Sequence, residues 1–410
     1  MRVLLVGSGG REHALAWKLA QAPSLTALHA APGNPGIARH GECHPIRAED
    51  GEGLLALAGS LEVDLVVVGP ENPLVAGVAD VLRHAGVAVF GPGRAAAAIE
   101  GSKSFAKDVM AAAGVPTARQ LAVARPPCVV KADGLAAGKG VHVCRAQDEL
   151  EHALRAVGAL GGKVVVEELL DGPEVSLFAI CDGRDAHALP AAQDFKRAFD
   201  GDEGPNTGGM GSYAPVPGIG DREVEELLAT VHRPVLAELQ RRGTPFVGLL
   251  YAGLILTSDG PHVLEFNCRF GDPETQSILP LLEGDLLEAL SAAAAGDGAG
   301  ELSASAGAAV TVVVAAGDYP ATGDRGTPIE GIDAAEATGA LVFHAGTARH
   351  GDRLVTNGGR ILAVTGLGAD VAEARDAAYA GADLIEVEGA RRRGDIAAAA
   401  AAGQQLALRP

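Results

Sequence analysis

Aromatic residues are scarce in this chain, only 3% of its 410 residues. Its interior must therefore be built from Val, Leu and Ala, with 56 glycines allowing backbones to approach closely. Basic charge is also in deficit: 33 Lys and Arg against 52 Asp and Glu leave a net charge of −19. That balance argues against nucleic acid or an anionic membrane surface as a partner, because phosphate arrays reward basic faces. A small phosphorylated substrate stays open, since a local group of Lys, Arg and backbone N–H groups suffices to hold it. The five cysteines, Cys43, Cys128, Cys144, Cys181 and Cys268, form no CxxC pair. Such scattering favours reduced thiols in the cytoplasm over a disulfide framework or a zinc site built on cysteine. No run reaches the ~20 apolar residues of a membrane span. The short apolar opening in MRVLLVGSGG reads as a buried strand and not as a signal peptide.

What is present is a chain too long for one ordinary core, so several domains are expected. Residues 1–100 alternate apolar strands with helical stretches, the pattern of a parallel sheet with crossover helices. Composition changes at Gly91-Pro92-Gly93. Residues 101–300 read as a second domain, into which residues 115–180 are inserted as a small lid with short strands and one helix over 148–157. The larger part resumes with a helix over 221–241 and strands near 249–256 and 262–266. An Ala/Gly/Ser-rich stretch at 291–307 has the character of a linker or loose helix end. Residues 301–410 read as a further α/β unit. The fold class is α/β.

Five segments carry chemistry. Gly7-Ser8-Gly9-Gly10-Arg11-Glu12 follows a strand and opens a helix, so its N–H groups and Arg11 suit a phosphate. Glu12 stands where a dinucleotide fingerprint needs its third glycine, which weakens a nicotinamide reading. Lys131-Ala132-Asp133-Gly134, running on to Gly138-Lys139-Gly140, is strand, glycine-rich loop, strand. It is not a Walker loop, because Gly140 occupies the Ser/Thr place, yet a loop carrying Lys139 suits folding over triphosphate. Glu167-Glu168-Leu169 and Glu174 can offer backbone groups to an adenine edge and a carboxylate to ribose hydroxyls. Glu265 and Asn267, two apart on a strand, share a face and supply two oxygen ligands for Mg²⁺, with Arg269 expected to continue that face. Asp194 and Lys196, beside the polar loop Asn206-Thr207-Gly208-Gly209, suit a zwitterion.

Taken together, GSGGREHALAW, VGPENPLVAGV, GSKSFAK, VVKADGLAAGKGV, VEELLDGPE, QDFKRAFDGDEGPNTGGMG and LEFNCRFGDPETQ resemble the phosphoribosylamine–glycine ligase family of the ATP-grasp superfamily, in that family's order along the chain. The resemblance implies a Rossmann-like N-terminal domain, an ATP-grasp core with its inserted lid, and a C-terminal α/β domain. It implies joining of glycine to 5-phosphoribosylamine with ATP and Mg²⁺ or Mn²⁺, in the cytoplasm, with transient contact to the preceding purine-pathway enzyme. Carried onto this sequence, Lys103, Lys131, Gly138, Lys139 and Gly140 would hold phosphates. Glu167, Glu168, Leu169 and Glu174 would hold the nucleoside, and Glu265 and Asn267 the metal. Gly9, Gly10, Arg11, Asn34, Asn206, Thr207, Gly208 and Gly209 would lie near the sugar phosphate, and Asp194, Lys196 and Arg269 near glycine. Arg269, Lys131 and Lys139 would carry the catalysis. The segments 117–129 and 158–163 are shorter than is usual in the family, and both fall in the lid. A different ATP-grasp enzyme, a nicotinamide oxidoreductase and a non-catalytic nucleotide sensor are the competing readings.

Overall fold

The computed structural model describes residues 1–136, 140–159, 161 and 163–408. Its first sheet is parallel throughout, in the spatial order Glu42–Cys43, Ala27–Pro32, Arg2–Gly7, Leu65–Val68, Val89–Phe90. Val3 to Val6 and Leu65 to Val67 are fully buried, as expected for strands covered on both faces by helices such as Gly10–Leu19 and Gly51–Ser60.

A small antiparallel sheet follows, Val141–Cys144, Cys128–Ala132, Val164–Glu168, with the helix Gln147–Ala159 on it. It has its own core of Cys128, Val130, Cys144, Leu150, Ala153 and Val157. The lid expected over 115–180 is therefore smaller than that span. Glu174–Asp182 pairs along its whole length with Val247–Thr257 and belongs to a second, four-stranded antiparallel sheet with Ala186–Ala188 and Gly260–Asn267. Alternating burial cannot reveal this, because a strand's own sequence does not say which sheet receives it.

The fourth large element is a five-stranded antiparallel sheet in the order Gln193–Asp194, Gly211–Ala214, Ala308–Ala315, Arg360–Gly368, Leu341–His344. Two strands from the 101–300 segment thus complete a sheet whose other strands lie beyond residue 301. The helix Val371–Ala382 packs on it through Ala374, Ala378 and Ala382, all fully buried. A Cβ on Gly366 would lie 2.1 Å from the Ala378 nitrogen, so the glycine is what allows helix and strand to touch. Here the scarcity of aromatics becomes structure: small side chains bring backbones together.

Two further expectations gain detail. The helix over 221–241 is continuous but widens into a π turn at Leu228–His232, just before Pro234, whose ring nitrogen has no hydrogen to donate. Of the stretch 291–307, read as a linker or loose helix end, residues 291–295 are a helix end: they complete Leu286–Ala295, whose Leu286, Leu287, Ala289, Leu290 and Ala293 are buried. All five cysteines are free thiols. Among the described residues no helix is long and apolar enough to cross a membrane.

Candidate active site

The small sheet, the four-stranded sheet and the C-terminal segments around Tyr319 and Arg360 enclose a cavity of about 1360 Å³. The pairing of strands brings the sequence motifs to it. Glu265 sits opposite Gly253 on the edge strand Gly260–Asn267, and both Glu265 and Asn267 line the cavity. Burial would favour neutral Glu265, but Lys196, Lys103, Lys131 and Arg269 outweigh it and hold its carboxyl below the usual range. An ionised carboxylate and an amide carbonyl are hard oxygen donors, a fit for Mg²⁺ or Mn²⁺.

Facing that strand, the Glu167 carboxylate is buried and clamped by Lys131 Nζ at 2.6 Å and Lys107 Nζ at 2.8 Å. Lys131 also donates to the Leu264 carbonyl at 3.0 Å, which ties the small sheet to the strand Gly260–Asn267. Lys103, at the start of the helix Lys103–Ala113, lines the same wall. Its neighbours Ser102 and Ser104 bond the Asp133 carboxylate, at 3.1 and 2.5 Å, fixing the root of the glycine-rich loop. Gly140, Glu168 and Leu169 line the cavity. The Glu168 carboxylate itself is turned to Arg119, accepting from its backbone N–H at 2.8 Å and its guanidinium at 3.0 Å. Any nucleoside contact expected of Glu168 would thus fall to its backbone. Gly138 and Lys139 lie outside the described residues.

At the other end, Lys196 Nζ lies 2.6 Å from Glu174 and 3.9 Å from Asp194. The residues read separately as a ribose group and a zwitterion grip are one cluster. Burial would lower the Lys196 pKa, but Asp194 and Glu174 raise it. Burial, with Glu174 and Glu265 adding to it, pushes Asp194 up to about 6 against the pull of Lys196. Glu274, buried and facing Asp194, is pushed up to about 8. The loop beside them is held from the C-terminal region: Arg360 bonds the Gly208 carbonyl and the Asp272 carboxylate, the latter at 2.9 Å, and Tyr319 accepts from Gly208 N–H at 2.8 Å. Gly209 has φ +104°, and a Cβ there would meet Pro273 Cδ at 2.4 Å, so only glycine lets the loop dock. Thr207 accepts from Gly209 N–H at 3.0 Å, and Asn206 donates to the Val141 carbonyl at 3.2 Å. Asn206, Thr207 and Gly208 line the cavity. Gly209 backs them.

Several expectations are corrected. The strand ends at Asn267, so Arg269 does not continue its face. Arg269 lines the cavity all the same, with its guanidinium 3.1 Å from Glu71 and 3.2 Å from Glu100; burial pushes the Glu100 carboxyl up. Burial opposes ionisation of Glu71, but Arg269 and Arg11 bring it down to about 2. Gly9, Gly10 and Asn34 are not among the residues lining the cavity. The Glu12 carboxylate takes the Gly9 N–H at 2.6 Å, filling the place a phosphate would need. Asn34 spends its amide on the Ser8 and His344 carbonyls, at 2.8 and 2.9 Å, and on the Gly36 and Ile37 N–H groups. Arg11 reaches the cavity but is paired with Glu12 at 2.5 Å and bonds the Phe270 carbonyl at 3.1 Å. A self-capped helix start and an anion site share one sequence signature, so the motif alone cannot separate them.

Family models match the chain in three stretches. Residues 1–100 match the N domain, residues 101–275 the ATP-grasp (A) domain and residues 309–399 the C domain of phosphoribosylglycinamide synthetase. The chain belongs to the phosphoribosylglycinamide synthetase family. It is 55% identical to a phosphoribosylamine–glycine ligase of Streptomyces coelicolor, over 98% of this chain and all of that one. To the Mycobacterium tuberculosis enzyme of the same name it is 49% identical, over 98% and 99% of the two chains. The crystal structure of the Thermotoga maritima phosphoribosylamine–glycine ligase superposes with a TM-score of 0.82 at 36% identity, covering 97% of this chain and all of that one. A biotin carboxylase domain of Hydrogenobacter thermophilus 2-oxoglutarate carboxylase shares the fold, with a TM-score of 0.69 at 17% identity over 95% and 91% of the two chains.

Within this member of the phosphoribosylglycinamide synthetase family, sequence reasoning missed Lys107, Glu71, Glu100, Glu274 and Arg360. Lys107 stands inside GSKSFAK, four residues after Lys103 and hence on the same helical face, a spacing that was there to be read. Arg360 follows a glycine pair far along the chain, and nothing local connects it to the loop it holds.

Proposed function

We propose that the chain is an ATP-dependent carbon–nitrogen ligase that joins glycine to 5-phosphoribosylamine, giving glycinamide ribonucleotide, ADP and phosphate in purine biosynthesis. The observation that carries this is one cavity lined by a hard-oxygen metal pair, a lysine-rich wall and an acid–lysine cluster of zwitterion size. Near-full-length similarity to phosphoribosylamine–glycine ligases supports the same reading.

A carboxylate is a poor electrophile, so the glycine carboxylate first takes the γ-phosphoryl group of ATP, and the amine of phosphoribosylamine then displaces phosphate from glycyl phosphate. Mg²⁺ or Mn²⁺, when bound, neutralises phosphate charge in that transfer. Glu265 and Asn267 would hold it. Lys103, Lys131 and Lys139 would receive the phosphates, Glu167 to Leu169 the adenine edge through the backbone, and Glu174 the ribose. Asp194, ionised above about pH 6, would accept the glycine ammonium, with Lys196 beside its carboxylate. Arg269, which lines the cavity beside Glu71 and Glu100, would stabilise the phosphoryl group in transfer or hold the glycine carboxylate. Arg11 and the 206–208 loop would meet the sugar phosphate, while Gly9, Gly10 and Asn34 would support that wall from behind. The small sheet would close over the site and keep water from the acyl phosphate.

The setting is cytoplasmic in this proposal, with phosphoribosylamine received from the preceding enzyme by transient contact. The test is phosphate release from ATP with Mg²⁺, omitting glycine and fresh phosphoribosylamine in turn. Release that requires both, with a product of glycinamide ribonucleotide mass, supports the assignment. Equal release with another carboxylate or amine would remove the purine role and leave an ATP-grasp ligase.

A further inference from the structure

Away from the cavity, at the edge of the N-terminal parallel sheet, His29, Glu42 and His44 converge. Register explains the meeting. His29 of strand Ala27–Pro32 lies opposite Glu42 of strand Glu42–Cys43, and the backbone N–H of His44 bonds the Ala30 carbonyl, prolonging the pairing. The two-residue period places Glu42 and His44 on one face and turns Cys43 to the other, where its thiol approaches the Asn34 carbonyl. His29 Nδ1 lies 3.1 Å from His44 Nε2 and 3.8 Å from the Glu42 carboxylate. All three ligand atoms fall within 4.8 Å of one another.

We propose that His29, Glu42 and His44 form a binding site for a borderline divalent cation of the Zn²⁺ class, separate from the nucleotide metal site. A tetrahedral ion bound at about 2.0–2.1 Å sets two imidazole nitrogens roughly 3.3 Å apart, close to the spacing already present. Two imidazoles with one carboxylate suit Zn²⁺, Cu²⁺ or Ni²⁺ and do not suit Mg²⁺, which demands an oxygen shell. Access is open: the His29 ring is 12% exposed but the Glu42 side chain is 70% exposed, so the third ligand can swing onto an arriving ion and water can complete its shell. Bound there, the ion cross-links the edge strand to its neighbour and closes segment 33–41. That segment carries Asn34 and Arg39, which bond the His344 carbonyl and the Glu336 carboxylate of the C-terminal region. The cation would therefore stiffen the contact between the first and last parts of the chain.

The experiment uses the untagged full chain, stripped with a chelator and kept in excess Mg²⁺ so that hard-oxygen sites are filled. Zn²⁺ is titrated against a competing chromophoric chelator, and thermal melting is recorded with and without it. One equivalent bound, a raised melting temperature, and affinity at least about tenfold weaker in His44→Ala and in Glu42→Gln are expected. Glu42 is exposed, so its variant tests the site even where a histidine variant fails to fold. Ligase turnover of Glu42→Gln should be unchanged. Absence of a zinc equivalent in the wild type, or an equivalent that survives in both Glu42→Gln and the His29→Ala/His44→Ala double variant, would overturn the proposal and leave a hydrogen-bonded histidine pair.

Discussion

Among the buried acids of the candidate site pushed toward their neutral forms, Asp194 and Glu274 each have a measurable consequence. Asp194 titrates at about 6, above the ordinary aspartate range. Falling pH therefore removes its charge while the glycine ammonium stays protonated. The KM for glycine should rise as pH drops through about 6, and Asp194→Asn should show a high KM without that limb. A wild-type KM flat from neutral pH down to about 5 would dissociate Asp194 from the ammonium. Glu274 behaves differently: burial and the charge of Asp194 outweigh the pull of Arg269 and Lys196. Its folded pKa of about 8 lies above the ordinary value of 4.5, so the folded state binds the proton more tightly. Its stabilising contribution is full below 4.5 and fades as pH rises to about 8. Glu274→Gln should melt above the wild type on the alkaline side of that window and lose part of the alkaline slope. Parallel melting curves for the two proteins would contradict this.

At the scale of elements, the buried Lys107–Glu167–Lys131 cluster is one of the polar ties that join the small sheet to the rest. Lys107 belongs to the helix Lys103–Ala113 and Glu167 to the strand Val164–Glu168, so this ion pair bridges two elements. Breaking one arm of a buried pair costs on the order of 3 kcal/mol, and Lys131 keeps the remaining charge from being wholly unpaired. Lys107→Met should therefore lower stability by about that amount, speed amide exchange in strand Cys128–Ala132, and weaken ATP binding. Faster exchange without any loss of ATP affinity would show that the clamp is architectural only. Asp133, at the root of the glycine-rich segment, is held by Ser102 and Ser104, so the helix start that presents Lys103 also fixes that root.

For the whole molecule, the first and last parts of the chain are coupled through Asn34 and His344. Asn34→Ala leaves the Ser8 and His344 carbonyls and two N–H groups without their partner. Unsatisfied buried groups cost about 1–3 kcal/mol each, so a loss of roughly 3 kcal/mol in urea unfolding is expected. The KM for phosphoribosylamine should stay as in the wild type, because Asn34 stands behind the cavity wall. A raised KM with unchanged stability would restore Asn34 to the substrate. Arg360 has the converse role: it reaches from the C-terminal sheet to the Gly208 and Asp272 backbone carbonyls, closing the site from the far end of the chain.

The amino-acid sequence by itself determined the α/β class, the parallel pairing of the opening strands, and the placing of Glu265 and Asn267 two apart on one strand. These follow from periodicity and short spacing, which are local properties that a strand or turn carries wherever it is placed. Only the tertiary structure decided which charges meet. It joined Glu174 to Lys196, set Lys107 against Glu167, placed Arg269 beside Glu71 and Glu100, and withdrew Gly9 and Asn34 into internal bonds. The physical reason is that a charged side chain's role depends on partners within a few ångströms, and sequence separation does not determine those distances.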